Sequence, residues 1–177
     1  QTNNCSNHLI WHKALMLIDF GQAEQALTLF DEALVDCLKD DFYLDVCNAA
    51  SLLWRLEMKG LDLGNRWEML RPYYHRAEDQ ELVFIALHYV MVAVKNGDQG
   101  IIDAALSNLQ RWAQLPQEQG RICHAVGLET AKALVDLAQG SAERGVDQLM
   151  ELAPELQQIG GSHAQRALFT DFIHHYS

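Results

Sequence analysis

The sequence predicts an all-α protein, a tetratricopeptide-like α-solenoid of about four helix–turn–helix pairs closed by a final helix. Three observations carry the prediction. Helical periodicity runs along nearly the whole chain and no strand-like alternation interrupts it. Breakers recur at Gly21, Gly60 to Gly64, Asn96 to Gly100, Pro116, Gly140 and Gly160-Gly161. Their spacing lies near the roughly 34-residue period of tetratricopeptide pairs.

Read between those breakers, helices are expected at 5–19, 22–39, 42–59, 65–76, 80–95, 100–114, 118–139, 142–158 and 162–176. In "GQAEQALTLFDEAL", Gly21 marks the turn, small residues at Ala26 and Ala33 let two helices approach, and Phe30 fills the space above them. "GSAERGVDQLMEL" repeats the pattern through Gly140, Gly145, Leu149 and Leu152. Ser162, after a glycine pair, is suited to cap the last helix.

At 177 residues the chain suffices for a single helical-repeat domain over 1–177, and 49% apolar residues make it globular and not disordered. It starts inside helical sequence and without Met, so the expectation is the C-terminal part of a longer chain, with upstream helices of that chain as neighbours. A net charge of −11 argues against nucleic acid, which is bound by neutralising phosphates. The longest apolar stretch, Leu82 to Val94, is too short for a bilayer, so no membrane partner is expected. Cys5, Cys37, Cys47 and Cys123 sit singly in apolar segments, which reads as reduced thiols in a cytoplasmic compartment.

Placed at about 100° per residue, the first helix is apolar around most of its circumference, as if packed on several sides. Its polar residues His8, His12 and Asp19 form one narrow strip, with Trp11 beside it and turned toward neighbours. Comparable strips are Asp45, Asn48, Ser51, Arg55 and Lys59; Glu81, His88 and Lys95; Arg121, His124 and Lys132; and His163, Arg166, Thr170 and His174. If the first helix of each pair lines a concave surface, the strips merge into one groove. The expected groove residues are His8, His12, Asn48, Ser51, Arg55, His88, Arg121, His124, His163 and Arg166. Its cations suit an anionic ligand, such as a peptide carboxylate, an anionic tail or a phosphate. A plain solvated helix face explains the strips equally well.

His8 and His12 stand four residues apart and could share a metal, but no local third ligand follows, so neither metal nor cofactor is expected. Asn48 and Arg55 could hold a peptide backbone and a carboxylate. In "GGSHAQR", His163 and Arg166 occupy a first helical turn, where free amides favour an anion. No nucleophile elbow, P-loop or Rossmann glycine pattern is present.

"NHLIWHKAL" with "LIDFGQAEQAL", then "YLDVCNAASLLWRLEMKGLDLGNRW", then "GGSHAQR", resemble the tetratricopeptide repeat protein 38 family in the same order. The resemblance covers essentially the whole chain and implies an all-helical repeat protein continuing upstream. At Ala167, after "AQR", the chain departs from an acidic residue usual in that family. The resemblance carries no biochemical activity. Two functions are therefore expected in order: a non-enzymatic protein-interaction module holding a peptide in the groove, and a small-ligand binder or enzyme using His8, His12, Arg55 and His163.

Overall fold

A computed structural model describes the backbone of residues 4–177 and the side chains from Asn7 onward, so the Cys5 thiol lies outside the described residues. The fold class is all-α: among the described residues there are helices and turns and no strand. Among them, too, no helix is long and apolar enough to cross a membrane. The chain divides into two compact units, one ending at Leu70 and the other running Arg71–Ser177.

In the first unit, α1 (Asn4–Asp19) turns at Gly21 into α2, residues 23–37. The turn requires a backbone φ of +73° at Gly21, a region that costs side-chain-bearing residues about 1–2 kcal/mol. α1 and α2 pack on one another, and both pack on α3 (Tyr43–Met58). Trp11, Ala14 and Ile18 come from α1, and Ala23, Ala26, Phe30 and Leu34 from α2; all are buried. Phe30 is fully enclosed, as its place above the small residues predicts. α3 is buried on every side from Asp45 to Leu56, including its polar residues.

Two features depart from ideal helical periodicity. α2 contains a π turn at Phe30–Leu34, and α6 contains another at Cys123–Gly127. Each adds one residue to its helix and rotates the faces that follow. The expected helix at 65–76 is instead a 3-10 helix, Glu68–Arg76, enclosing Pro72. Proline supplies no N–H for the α-helical ladder, and bonds of three-residue span take over, from Met69 N to Arg66 O at 3.2 Å and from Leu70 N to Trp67 O at 3.1 Å.

The second unit contains α4 (Val83–Lys95), α5 (Gln99–Trp112), α6 (residues 118–138), α7 (Ala142–Leu152) and α8 (His163–Tyr176). Successive helices pack pairwise, α4 with α5, α6 with α7 and α7 with α8, while α6 also lies against α4 and α5. Glycine permits the closest approach: a Cβ on Gly145 would lie 2.9 Å from both the Ala133 carbonyl oxygen and Leu137 Cγ. Arg144 forks onto Asp136 across the same joint, its Nε 2.6 Å from Oδ2. α7 ends before Pro154 and does not reach residue 158, again because proline breaks the ladder; a short 3-10 turn, Leu156–Ile159, follows. α8 starts with a capping box in which Ser162 Oγ accepts from Gln165 N and the Gln165 side chain accepts from Ser162 N at 2.8 Å.

Candidate functional site

Most of the polar residues singled out in the first unit meet at the seam of α1 and α3. Asn7 Nδ2 donates to Asp45 Oδ2 at 3.2 Å, tying the two helices together. From the next residue, the His8 ring stacks on Trp11 at 5.2 Å between centroids, and the His12 ring meets Trp11 edgewise at 4.9 Å. The two imidazoles also touch each other, Nε2 to Nε2 at 3.2 Å. Arg55 reaches the same indole from α3, its Cζ 6.0 Å from the ring centroid. It also donates to the hydroxyl of Ser51 and, at 3.4 Å, to the Ser51 carbonyl.

The electrostatics follow from enclosure. Burial holds the His12 imidazole below its ordinary range, and His8 adds to the effect. Burial pushes the Asp45 carboxyl up, with Asp40 adding to the rise, while the Asn7 hydrogen bond and His8 pull the other way. Burial likewise raises the thiols of Cys37 and Cys47, and it pushes Cys123 up to about 11. All three are therefore poor thiolates.

These positions change the meaning of the expected groove. Asn48 and Ser51 are each 2% exposed, Arg55 6% and His88 1%, so they are interior residues and not a wetted strip. The Asn48 Oδ1 and Trp11 Nε1 atoms find no hydrogen-bond partner among the described residues. Buried groups left unpaired cost about 1–3 kcal/mol each. In the second unit His88 Nδ1 donates to the Phe84 carbonyl at 2.7 Å within α4, and the two rings lie 4.4 Å apart.

The remaining candidates of the second unit lie at or near its surface, with their cations already engaged. Arg121 donates to the Pro116 carbonyl at 2.7 Å. Lys132 pairs with Glu129 at 2.6 Å. Arg166 turns back onto the carbonyls of Gly160 and Gly161. That contact and the Ser162–Gln165 box occupy the polar groups expected to receive an anion at the start of α8. His124 and His163 are exposed. The π turn at Cys123–Gly127 breaks the expected line Arg121–His124–Lys132, because it inserts one residue between its members. Among the described residues no group of three or more His, Cys, Asp or Glu is placed to hold a metal ion.

A surface of another kind lies on α1, on the side opposite its core residues. Leu9 is 62% exposed, Met16 58% and Phe20 74%. Leu9 and Met16, seven residues apart, lie within roughly 20° of one another at 100° per residue, and Phe20 follows in the turn after α1. A separate cleft of about 270 Å³ between α1 and α2 is lined by Lys13, Leu17, Gln25, Thr28, Leu29 and Glu32. The sequence held the signal: α1 is apolar around more of its circumference than one core contact consumes. That surplus, which the sequence suggests is packed, is exposed at Leu9 and Met16.

The comparisons with known proteins add no identity, since no family model matches the chain and no solved structure matches it.

Proposed function

We propose that this chain is a non-enzymatic protein-interaction module of tetratricopeptide-like architecture, and that it receives its partner on the outward face of its first helical hairpin. The observation that carries this reading is the doubly apolar α1. One face, Trp11, Ala14 and Ile18, is consumed by the core, while Leu9, Met16 and Phe20 stand in solvent on the other. Large apolar side chains left exposed along one side of a helical hairpin favour contact with another molecule. The helical-repeat reading is supported by the pairwise packing of α1 with α2, α4 with α5 and α6 with α7, and by small residues at the joints. The resemblance to the tetratricopeptide repeat protein 38 family belongs to the same proposal.

This reading moves the binding surface away from the polar strips. Asn48, Ser51, Arg55 and His88 serve the interior, and Arg121, Lys132 and Arg166 are engaged by neighbouring carbonyls or by Glu129. An acidic tail therefore finds little free positive charge along that line.

The test is affinity capture from native lysate with the wild-type chain and with a Met16→Ser/Phe20→Ser double variant whose fold is checked by circular dichroism. Both residues are exposed, so the fold is expected to persist. Loss of specific protein partners in the variant supports the reading. An identical set of captured proteins overturns it.

A further inference from the structure

We infer that His8 and His12 together form an exchangeable site for a tetrahedral divalent metal ion of the zinc type, held between their two Nε2 atoms. The site is separate from the partner face of α1 and does not depend on it. Three observations carry it.

The first is the span between the two ligand atoms. The histidines stand four residues apart on α1, so both rings leave the same side of the helix. Their Nε2 atoms are 3.2 Å apart. Zn2+ binds an imidazole nitrogen at about 2.0–2.1 Å, so two such bonds span this distance at an angle of about 100–106°, close to tetrahedral. A square-planar ion with bonds of that length needs a span of about 2.8–3.0 Å, shorter than the one found. In the metal-free chain the contact is a hydrogen bond, with the proton on one Nε2. Binding moves that proton to Nδ1 of the same ring, so both Nε2 lone pairs become ligands and both rings stay neutral. The ring torsion of histidine is broad, and a turn of each ring aims both lone pairs at the ion.

The second is orientation. Trp11 is fully buried and supports both rings, stacked on His8 at an interplanar angle of 17° and edgewise to His12 at 65°. A fixed neighbour that orients the ligand rings does for this pair what outer-shell partners do in metal sites generally.

The third is access and donor type. Both histidines are half-buried, so an ion between them meets solvent. Among the described residues no third His, Cys, Asp or Glu joins the pair, so water fills the other positions. A structural zinc site has all four positions closed by protein; this one has two, and the ion exchanges. Neutral nitrogen donors select such an ion over Ca2+ and Mg2+, which take oxygen. The charges nearby have opposite signs: Asp45, tied to Asn7, attracts the ion, and Arg55, 6.0 Å from the Trp11 ring centroid, repels it. The imidazoles themselves therefore carry the affinity.

The experiment uses the whole chain without a histidine tag, freed of metal by a chelator and titrated with ZnCl2 by isothermal titration calorimetry. His8→Gln and His12→Gln, each checked for fold by circular dichroism, are each expected to weaken the tightest site at least ten-fold. His174→Gln/His175→Gln removes an exposed pair on α8 and is expected to leave that site unchanged. Imidazole 15N NMR of the unaltered chain gives a readout that needs no substitution. Zn2+ is expected to fix both rings as Nδ1–H tautomers with coordinated Nε2 atoms. Binding that survives both single substitutions overturns the inference, as do His8 and His12 15N signals that ignore Zn2+. Equally tight binding of Ca2+ also overturns it, because carboxylates then hold the ion.

Discussion

His8 and His12 meet Nε2 to Nε2 at 3.2 Å against the indole of Trp11, so one ring must donate the proton that the other accepts. The pair has no place for a second proton at that contact. Because enclosure and His8 lower the His12 pKa from its ordinary 6.5, the folded chain holds the His12 proton more weakly than the unfolded chain does. The His12 contribution to stability is therefore intact above about pH 6.5 and is lost as the pH falls through that range. Thermal melts between pH 7.5 and pH 5 are expected to show a falling Tm, and His12→Gln is expected to reduce the slope. An unchanged slope in His12→Gln places the acid sensitivity elsewhere.

Asp45 has the opposite sign. Its carboxyl is raised from 3.8 by burial, so the ionised form costs stability at neutral pH and the cost disappears as the group is protonated. Asp45→Asn keeps an oxygen for the Asn7 amide and removes the charge. It is expected to raise Tm at pH 7, by about 2–4 °C for each 1 kcal/mol recovered. A fall in Tm shows that the attraction between His8 and the carboxylate outweighs burial.

Gly145→Ala puts a Cβ against the Ala133 carbonyl oxygen and Leu137 Cγ, each at 2.9 Å. Leu137 can turn aside, but the carbonyl belongs to the α6 backbone and cannot. The expected loss is about 1–3 kcal/mol, read as a lower urea midpoint with an unchanged slope. Wild-type stability in this variant contradicts the packing described for the α6–α7 joint.

Asn48 and Arg55 share one helix face but are expected to respond differently. Asn48 carries a buried oxygen with no partner among the described residues, so Asn48→Ala removes a penalty while leaving a small void. Its net effect is expected within about 1 kcal/mol of zero, two opposed contributions of similar size. Arg55→Ala deletes a buried guanidinium that bonds Ser51 and lies over Trp11, with an expected loss of about 3 kcal/mol or more. Denaturant unfolding of the two single variants decides; similar losses contradict the account of Asn48.

The limits of what could be read from sequence have local causes. Gly21, Ala26, Phe30, Gly145 and Ser162 announce their roles because turn geometry, close approach and capping each demand particular residue types. The π turns at Phe30–Leu34 and Cys123–Gly127 have no such signature, and each shifts the faces of its helix by one position. Pro72 lies inside the 3-10 helix Glu68–Arg76, whose residues read as helical in sequence, and only the hydrogen-bond span distinguishes it from the expected helix at 65–76. The polar strip of α3 looked solvated because Asp45, Asn48, Ser51 and Arg55 share one side. Periodicity cannot tell a wet strip from an interior one, and here the surrounding helices enclose it. For α1 the same ambiguity ran the other way, with Leu9, Met16 and Phe20 apolar yet exposed.

The most direct test of the docking face uses the methionine methyl groups as reporters. Among the five methionines, Met16 stands on the proposed face, Met150 is comparably exposed at 56% on α7, and Met91 is fully buried. The chain labelled with 13C at the methionine methyls is titrated with a protein captured by the wild-type chain and followed by NMR. The account predicts a saturable shift of the Met16 signal while those of Met150 and Met91 stay in place. Equal movement of Met16 and Met150, or a stationary Met16 while the partner binds, contradicts it.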